Sequence, residues 1–307
     1  MNKRWSNIIT FILIMVLLGY IVLDRITKKE TGQVTPSIPE TEAEEDKWFI
    51  ANIFDPGKGQ LNAVTISADG TIILGGETFI ICYNQNFEIQ WDYPTEMTVT
   101  ALTVSGNNIY AAIQGTIFVL NFKGEKIEEW GPFESNSMIT SLAANEKYVA
   151  FADAANTAAY ILDKEGVLKS LIGKSGETFI IPSSYFDLAL STDNILLIAN
   201  TGKHRIEKRK IDGTLLGYFG EPGVASGSFC GCCNPSHFTP IPGGFVTAEK
   251  GINRIKILDT DGRFIEFVSS VNDFIPPLPL DIASAEGKII YGVNPADSKL
   301  YVFKRKS

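Results

Sequence analysis

Three cysteines and a histidine lie close together in the string FCGCCNPSHF, which spans residues 229–238. The chain has only four cysteines and two histidines in all, so this density is unusual. Thiolates and imidazoles bind soft metal ions such as copper and zinc, and thiolates also hold iron–sulfur clusters. The spacing C-x-C-C-x3-H therefore predicts a metal or thiol-redox site made of Cys230, Cys232, Cys233 and His237.

The same cysteines also fit a structural role in an oxidising compartment. A disulfide between Cys230 and Cys233 would staple an irregular loop and leave Cys232 over. A bond between the neighbours Cys232 and Cys233 would be strained, and strained disulfides are labile and reactive. Metal binding, a structural disulfide, and substrate contact or thiol exchange all remain open at this loop.

The elements that must position this loop are short β-type runs separated by turn signals from Lys47 onward. No helical period interrupts them, which indicates a sandwich, a barrel or a propeller. Turn pairs such as Asp69-Gly70 and Gly106-Asn107 recur at intervals of roughly 37 to 50 residues, the length of a four-stranded propeller blade. A second turn series, which includes Asp212-Gly213 and Asp261-Gly262, runs out of phase with the first.

Repeat units begin near Leu61, Thr98, Met138, Ser183, Pro235 and Pro279, which predicts an all-β, six-bladed propeller over residues 47–307. The last unit has only three strand-like runs before the chain ends. The segment KWFIANIF (47–54) is a strand without a unit of its own. We expect it to complete the last blade, because this closes the ring and removes an open sheet edge.

One unit, IANTGKHRIEKRKIDGTLLGYFGEPG (198–223), closely resembles an NHL repeat, and VTAEKGINRIKILDTDGRFIEFV (246–268) is a second good copy. The string CGCCNP is similar to one found in a poorly characterised bacterial subset of NHL-type propellers. That resemblance implies that residues 229–235, including Asn234, form a family feature. It implies a propeller fold and supplies no reaction, because propellers host binding modules and enzymes alike.

Other polar residues are weaker candidates. Arg205 and Arg254 occupy equivalent repeat positions, which favours local packing or pairing, and with Glu249 they are candidates for the central channel. His204 is expected at a turn, and Cys82, in the apolar run FIICYNQ, in the core. A calcium-type site is a further candidate, built from Asp153, Asp187, Asn200 and Glu249.

The N-terminus predicts a membrane anchor over residues 1–26 and a flexible stalk over 27–46. Residues 8–23 carry no charge and run directly into Asp24 and Arg25, without the small-residue cleavage site of a signal peptide. The stalk has two prolines, many acidic residues and almost no apolar residue. We expect the propeller on the extracytoplasmic side, in a periplasm or at a cell surface.

The formal charge of -8 and the lack of a long Lys/Arg run argue against a nucleic-acid partner. No GxSxG, HExxH or phosphate-binding loop is present in the sequence. We therefore predict a binding or scaffold module that engages a protein partner or small ligand at its entry face. The alternatives are a metal or thiol-redox protein and, third, a channel-type hydrolase or lyase.

Overall fold

The computed structural model describes residues 47–174, 178–231, 233–251, 254–270 and 280–306, together with residues 15, 274 and 278. The predicted anchor and stalk therefore lie outside the described part, apart from Met15. Within that part, no helix has the length and apolar character needed to cross a membrane.

The described strands form six sheets of four antiparallel strands each, the blades of a β-propeller. Blade 1 contains β2 (Leu61–Ile66), β3 (Ile72–Gly76), β4 (Phe79–Tyr83) and β5 (Ile89–Pro94). Blade 2 contains β6 (Val99–Ser105), β7 (Asn108–Ile113), β8 (Thr116–Asn121) and β9 (Lys126–Trp130). Blade 3 contains β10 (Ile139–Ala144), β11 (Tyr148–Asp153), β12 (Ala158–Asp163) and β13 (Leu168–Gly173).

The second half of the ring repeats this order. Blade 4 contains β14 (Leu188–Leu190), β15 (Leu196–Asn200), a 3-10 turn (Thr201–Lys203), β16 (Arg205–Arg209) and β17 (Leu215–Phe219). Blade 5 contains β18 (His237–Ile241), β19 (Gly244–Glu249), β20 (Arg254–Asp259) and β21 (Phe264–Ser269). Blade 6 contains β22 (Asp281–Ala283), β23 (Ile289–Asn294), β24 (Lys299–Arg305) and β1 (Trp48–Phe54).

The N-terminal strand closes the ring, as the sequence predicts. β1 pairs antiparallel with β24, from Trp48 opposite Arg305 to Phe54 opposite Leu300. The Trp48 side chain is buried between blades 5 and 6, and its Nε1–H donates to Glu266 Oε1 at 3.0 Å. The first and last strands of the domain thus lie in one sheet, which removes the open edge.

Contacts between neighbouring blades follow one pattern at the turns that lead into the outer strands of blades 2 to 5. Gly166 has φ +77° and lies so close to Trp130 of the preceding blade that a Cβ would stand 2.7 Å from its ring. Gly262 approaches Phe219 in the same way, at 2.3 Å. Only glycine combines this backbone conformation with this contact. The glycines of the second turn series therefore leave room for a large side chain of the preceding blade.

The hydrophobic core lies between the blades. The buried apolar residues fall into clusters that each join two adjacent blades, for example blades 2 and 3 around Phe151 and Tyr160, whose rings stack 4.6 Å apart. Blades 4 and 5 meet around Phe219 and Phe245. Strands such as β3 and β4 are buried along their whole length, because both faces of their sheet meet another blade.

Candidate functional site: the polar end of the channel

The innermost strand of every blade contributes to a cavity of 180 Å³ on the axis of the ring. The residues that line it at the start of these strands are polar in five of the six blades: Thr100, Thr140, Asp187, His237 and Asp281. Further along the strands the lining is mostly apolar or small, for example Leu102, Ala144 and Leu190. The chemistry of the channel is thus concentrated at the end where the inner strands begin.

His237 lies between two carboxylates at this end. Its Nδ1 is 3.5 Å from Asp281 Oδ1 and 3.8 Å from Asp187 Oδ2. In a neutral imidazole, two acceptors on one side of the ring favour the tautomer with its proton on Nδ1, which leaves Nε2 as an acceptor. Three blades therefore bring an Asp-His-Asp group together, although the three residues are far apart in the sequence.

Both aspartates are held by backbone N–H groups of a neighbouring blade. Asp187 Oδ2 accepts a hydrogen bond from Phe238 N at 2.7 Å, across blades 4 and 5. Asp281 Oδ2 accepts one from Val64 N at 2.8 Å, across blades 6 and 1. Burial raises the pKa of Asp187. Burial, with a smaller contribution from the charge of Asp187, raises the pKa of Asp281 from 3.8 to about 6.

Thr100 and Thr140 bind across blades with their hydroxyl groups. Each is the extra residue of a β-bulge at the start of its strand. Thr100 Oγ1 donates to Ile139 O at 2.6 Å, and Thr140 Oγ1 donates to Phe186 O at 2.7 Å. The polar end of the channel is therefore a rigid set of groups fixed between blades.

The cysteine loop precedes β18 and so opens on the same end of the ring. Cys230 is a free thiol, and the Cys230–Cys233 disulfide allowed by the sequence is not formed. Burial and then the charge of Glu249 raise the pKa of Cys230, against smaller opposite effects of Arg254 and Lys256. Cys233 is buried, and Cys232 lies outside the described residues.

Asn234 has a clear structural role in this loop. Its Nδ2 donates to Cys230 O at 2.6 Å and to Lys250 O at 3.0 Å, and its Oδ1 accepts from Lys250 N at 2.8 Å. His204 contacts the same loop, because its Nε2 is hydrogen-bonded to Gly231 O. Asn234 therefore clamps the cysteine loop onto the turn after β19, and His204 joins it to blade 4.

The proposed channel residues Glu249, Arg254 and Arg205 are absent from the lining of the axial cavity. Glu249 is fully buried and binds Arg254 through two bonds of 2.9 Å and Lys256 Nζ at 2.9 Å. Arg205 binds Glu207 through Nε at 2.9 Å. The two arginines at equivalent repeat positions thus each pair with a carboxylate of their own blade, as a recurring repeat residue favours.

The calcium-type set is also separated. Asp153 accepts hydrogen bonds from Met138 N and from Asn156 of its own blade. Asn200 Nδ2 donates to Glu207 Oε1 at 2.9 Å. Asp187 alone of that set lines the axial cavity. Among the residues that the structure describes, no three His, Cys, Asp or Glu side chains are grouped as metal ligands.

The sequence predicted His237 as a site residue because of its cysteine neighbours, and Asp187 as part of the calcium-type set. It did not predict Asp281, Thr100 or Thr140. The available signal is positional, because all five residues stand at or next to the first residue of an inner strand. Aligning the six units on these strands brings the five polar residues into one level of the ring.

No protein-family model matches the chain. No curated protein matches it either. Among solved structures, a chain of the mitotic checkpoint complex is 10% identical with a TM-score of 0.62, covering 84% of this chain and 92% of its own. Streptogramin B lyase is 14% identical with a TM-score of 0.58, and the match covers 84% of this chain and 98% of the lyase. Virginiamycin B lyase from Staphylococcus aureus is 14% identical with a TM-score of 0.57, and the match covers 84% of this chain and 100% of the lyase.

At these identities the likeness shows the fold alone, a β-propeller. The NHL resemblance and the CGCCNP subset stay predictions, since no family model supports them.

Proposed function

We propose that this protein is a membrane-tethered propeller that binds a small ligand or a protein partner at the end of the ring where the channel residues and the cysteine loop lie. The observation that carries the proposal is the Asp187-His237-Asp281 group, which three blades hold in one cavity. Side chains fixed by bonds to neighbouring blades lose little entropy when a ligand binds, and such preorganisation favours affinity.

The tether and the extracytoplasmic side rest on the sequence. The uncharged stretch 8–23 approaches the length of a bilayer span, and Trp5 and Tyr20 suit its two interfaces. Fusing a reporter that folds only outside the cytoplasm to the C-terminus tests the orientation. An active reporter is expected, and an inactive one with normal expression would place the propeller inside.

Native mass spectrometry of the full chain in detergent tests the binding function. The intact protein is expected to carry a ligand or partner that is lost when His237→Gln is combined with Asp281→Asn. Asp261→Asn, at an exposed turn between β20 and β21, is the matched control and should retain it. Retention in the channel double variant would contradict the proposal.

Acid–base catalysis is the second candidate, since the same group favours it. A His with carboxylates at Nδ1 and an acceptor at Nε2 has the arrangement of a general base. The two lyases of the same fold are compatible with this reading but do not carry it. Turnover of a substrate panel that disappears in His237→Gln would favour an enzyme over a binding module.

A metal or thiol-redox role of the cysteine loop remains the third proposal. The raised pKa of Cys230 keeps its thiol protonated at neutral pH, which disfavours an activated thiolate. Metal analysis with thiol titration of the full chain tests this role. A chain that contains no copper, zinc or iron and reacts with one equivalent of reagent per cysteine only after unfolding would exclude it.

A further inference from the structure

The acceptors at the polar end of the channel indicate which ligand chemistry this site takes. Thr100 and Thr140 each use their hydroxyl proton in a bond to a backbone carbonyl of the next blade. A hydroxyl has one proton and two lone pairs, so both groups present only lone pairs to the cavity. The tautomer favoured for His237 likewise leaves Nε2 as an acceptor.

Within the described part of the chain, the two carboxylates of the cavity have no Lys or Arg partner. The buried glutamates of the protein do have one: Glu207 binds Arg205 and Arg209, Glu249 binds Arg254 and Lys256, and Glu266 binds Arg305. Asp187 and Asp281, in contrast, form their only ion-pair contacts with His237 among the described residues. The lining residues that the structure describes include no Lys or Arg either.

A buried carboxylate is costly unless it is paired, protonated or well hydrogen-bonded. Asp187 accepts from Phe238 N through Oδ2 and from Leu188 N through Oδ1. Asp281 accepts from Val64 N through Oδ2, and its Oδ1 lies 3.5 Å from Nδ1 of His237. Two carboxylates have more lone pairs than these N–H groups use, so the site retains acceptor capacity. Among the described residues, His237 is the one basic side chain that faces the two carboxylates. A cation with several N–H donors supplies hydrogen bonds to these acceptors and positive charge beside the two carboxylates.

The size of the cavity limits the ligand. Its volume of 180 Å³ is close to that of the engineered protein cavity of about 150 Å³ that holds benzene. A molecule of roughly six to eight non-hydrogen atoms therefore fits within the ring.

We infer that the channel binds a small protonated amine, whose ammonium group donates to Asp187, Asp281 and the threonine hydroxyls. This inference rests on the proposed binding function and names its ligand class. The imidazole of His237 lies between the two carboxylates and reports directly on the occupied site. A hydroxyl on the same ligand would have His237 Nε2 as its acceptor.

The test uses the full chain in detergent with ¹⁵N-labelled histidine, followed by NMR. The probes are ethanolammonium, ethylene glycol and glycolate, which share size and a hydroxyl but differ in charge. Ethanolammonium is expected to shift the ring signals of His237 saturably in the millimolar range or tighter, as its few atoms allow. His204, in blade 4, contacts the cysteine loop and does not line the cavity, so it serves as the internal control; His204→Gln assigns the two signals.

Ethylene glycol is expected to bind at least ~10-fold more weakly, and glycolate not at all, because the carboxylates attract the first probe and repel the last. The inference is overturned if glycolate or ethylene glycol binds as tightly, or if no probe moves His237 at ~100 mM, two orders above a millimolar dissociation constant.

Charge removal at the site completes the test. Asp281→Asn keeps an acceptor for Val64 N and is expected to weaken ethanolammonium binding at least ~10-fold, a loss of the size seen when one member of a buried charged pair is removed. Asp261→Asn should leave the affinity unchanged. If Asp281→Asn fails to fold, as its histidine signals would reveal, Asp187→Asn replaces it. Equal affinity in a folded channel variant overturns the inference.

Protonation gives an independent readout. The affinity of wild type for ethanolammonium should fall as the pH is lowered from 8 through about 6, because Asp281 then loses its charge. Asp187 and His237 line the same cavity, and protonation of Asp187, whose pKa burial also raises, acts in the same direction. If native mass spectrometry finds a channel ligand while ethanolammonium does not bind, the amine class fails and the binding function stands.

Discussion

Glu207 and Lys256 occupy the third position of equivalent strands, β16 and β20, and are both fully buried with opposite charges. Glu207 is neutralised by Arg205 and Arg209, and Asn200 donates to it from the neighbouring strand. Lys256 is paired with Glu249, which stands at the place of Asn200. The repeat thus keeps a buried ionic cluster at one place while it exchanges the charges within it.

The structure of this cluster predicts that replacing Glu249 and replacing Lys256 lower the free energy of unfolding by different amounts. Glu249→Gln leaves Arg254 and Lys256 without an anion and is expected to lower the free energy of unfolding by about 3–5 kcal/mol. Lys256→Met leaves Glu249 bound by Arg254 through two hydrogen bonds, so about 1–3 kcal/mol is expected. Chemical denaturation of both variants measures the difference. A Lys256→Met variant less stable than Glu249→Gln would contradict this account.

Ring closure predicts a strong effect of a residue that precedes the first blade. Trp48→Ala removes a buried indole between blades 5 and 6 and leaves Glu266 without one donor. A loss of about 3–5 kcal/mol is expected from denaturant unfolding. Phe49→Ala, next in the same strand but 45% exposed, is the control and should cost less than about 1 kcal/mol. Equal effects of the two substitutions would mean that β1 does not hold the ring closed.

The closing strand was predictable from a count of strands. The last unit contains three strand-like runs, one fewer than a blade needs, and the chain has one unassigned run before the first unit. The channel group was not predictable in the same way. Asp281 opens a strand of three residues, β22, and reads as an ordinary turn residue beside it. Only the closed ring brings it to His237.

Glu249 shows the opposite case. Its place at the end of the second strand of blade 5 suggests a channel position, but the cavity is lined by the first strand of each blade. One strand further out, Glu249 meets Arg254 across β19 and β20. A sequence gives the alternation of side chains along a strand, but the layer to which each strand belongs is fixed only by the tertiary fold.

The raised pKa of Asp281 predicts that its ionised carboxylate lowers the free energy of unfolding at neutral pH. Its carboxyl has a pKa of about 6 in the folded chain and 3.8 as the ordinary value, so the folded state holds its proton more firmly. Below pH 3.8 the group is neutral in both states and costs nothing. The cost grows as the pH rises towards 6 and is complete above it.

Asp281→Asn should therefore stabilise the protein at pH 7 by about 1–2 kcal/mol, less than the full shift implies because the side chain is partly exposed. The gain should shrink as the pH falls from 6 to 4. Urea unfolding of wild type and variant at several pH values measures it, with Asp261→Asn as the control. A variant that is less stable than wild type at pH 7 would show that the charge of Asp281 is compensated in the fold.

The thiol of Cys230 provides the last prediction. Burial and the charge of Glu249 raise its pKa, so little thiolate is present at pH 8 and alkylation by iodoacetamide should be slower than for an unhindered cysteine. In Glu249→Gln the rate at Cys230 should rise, because the charge that opposes ionisation is gone while Arg254 and Lys256 remain. Tandem mass spectrometry in a Cys232→Ser background, which distinguishes Cys230 from Cys233 on their common peptide, follows this site. Cys82, buried and with a pKa of about 11, should stay unreactive in both proteins and reports whether the fold is intact. An unchanged rate at Cys230 with Cys82 protected would mean that the thiol does not respond to the buried ionic cluster.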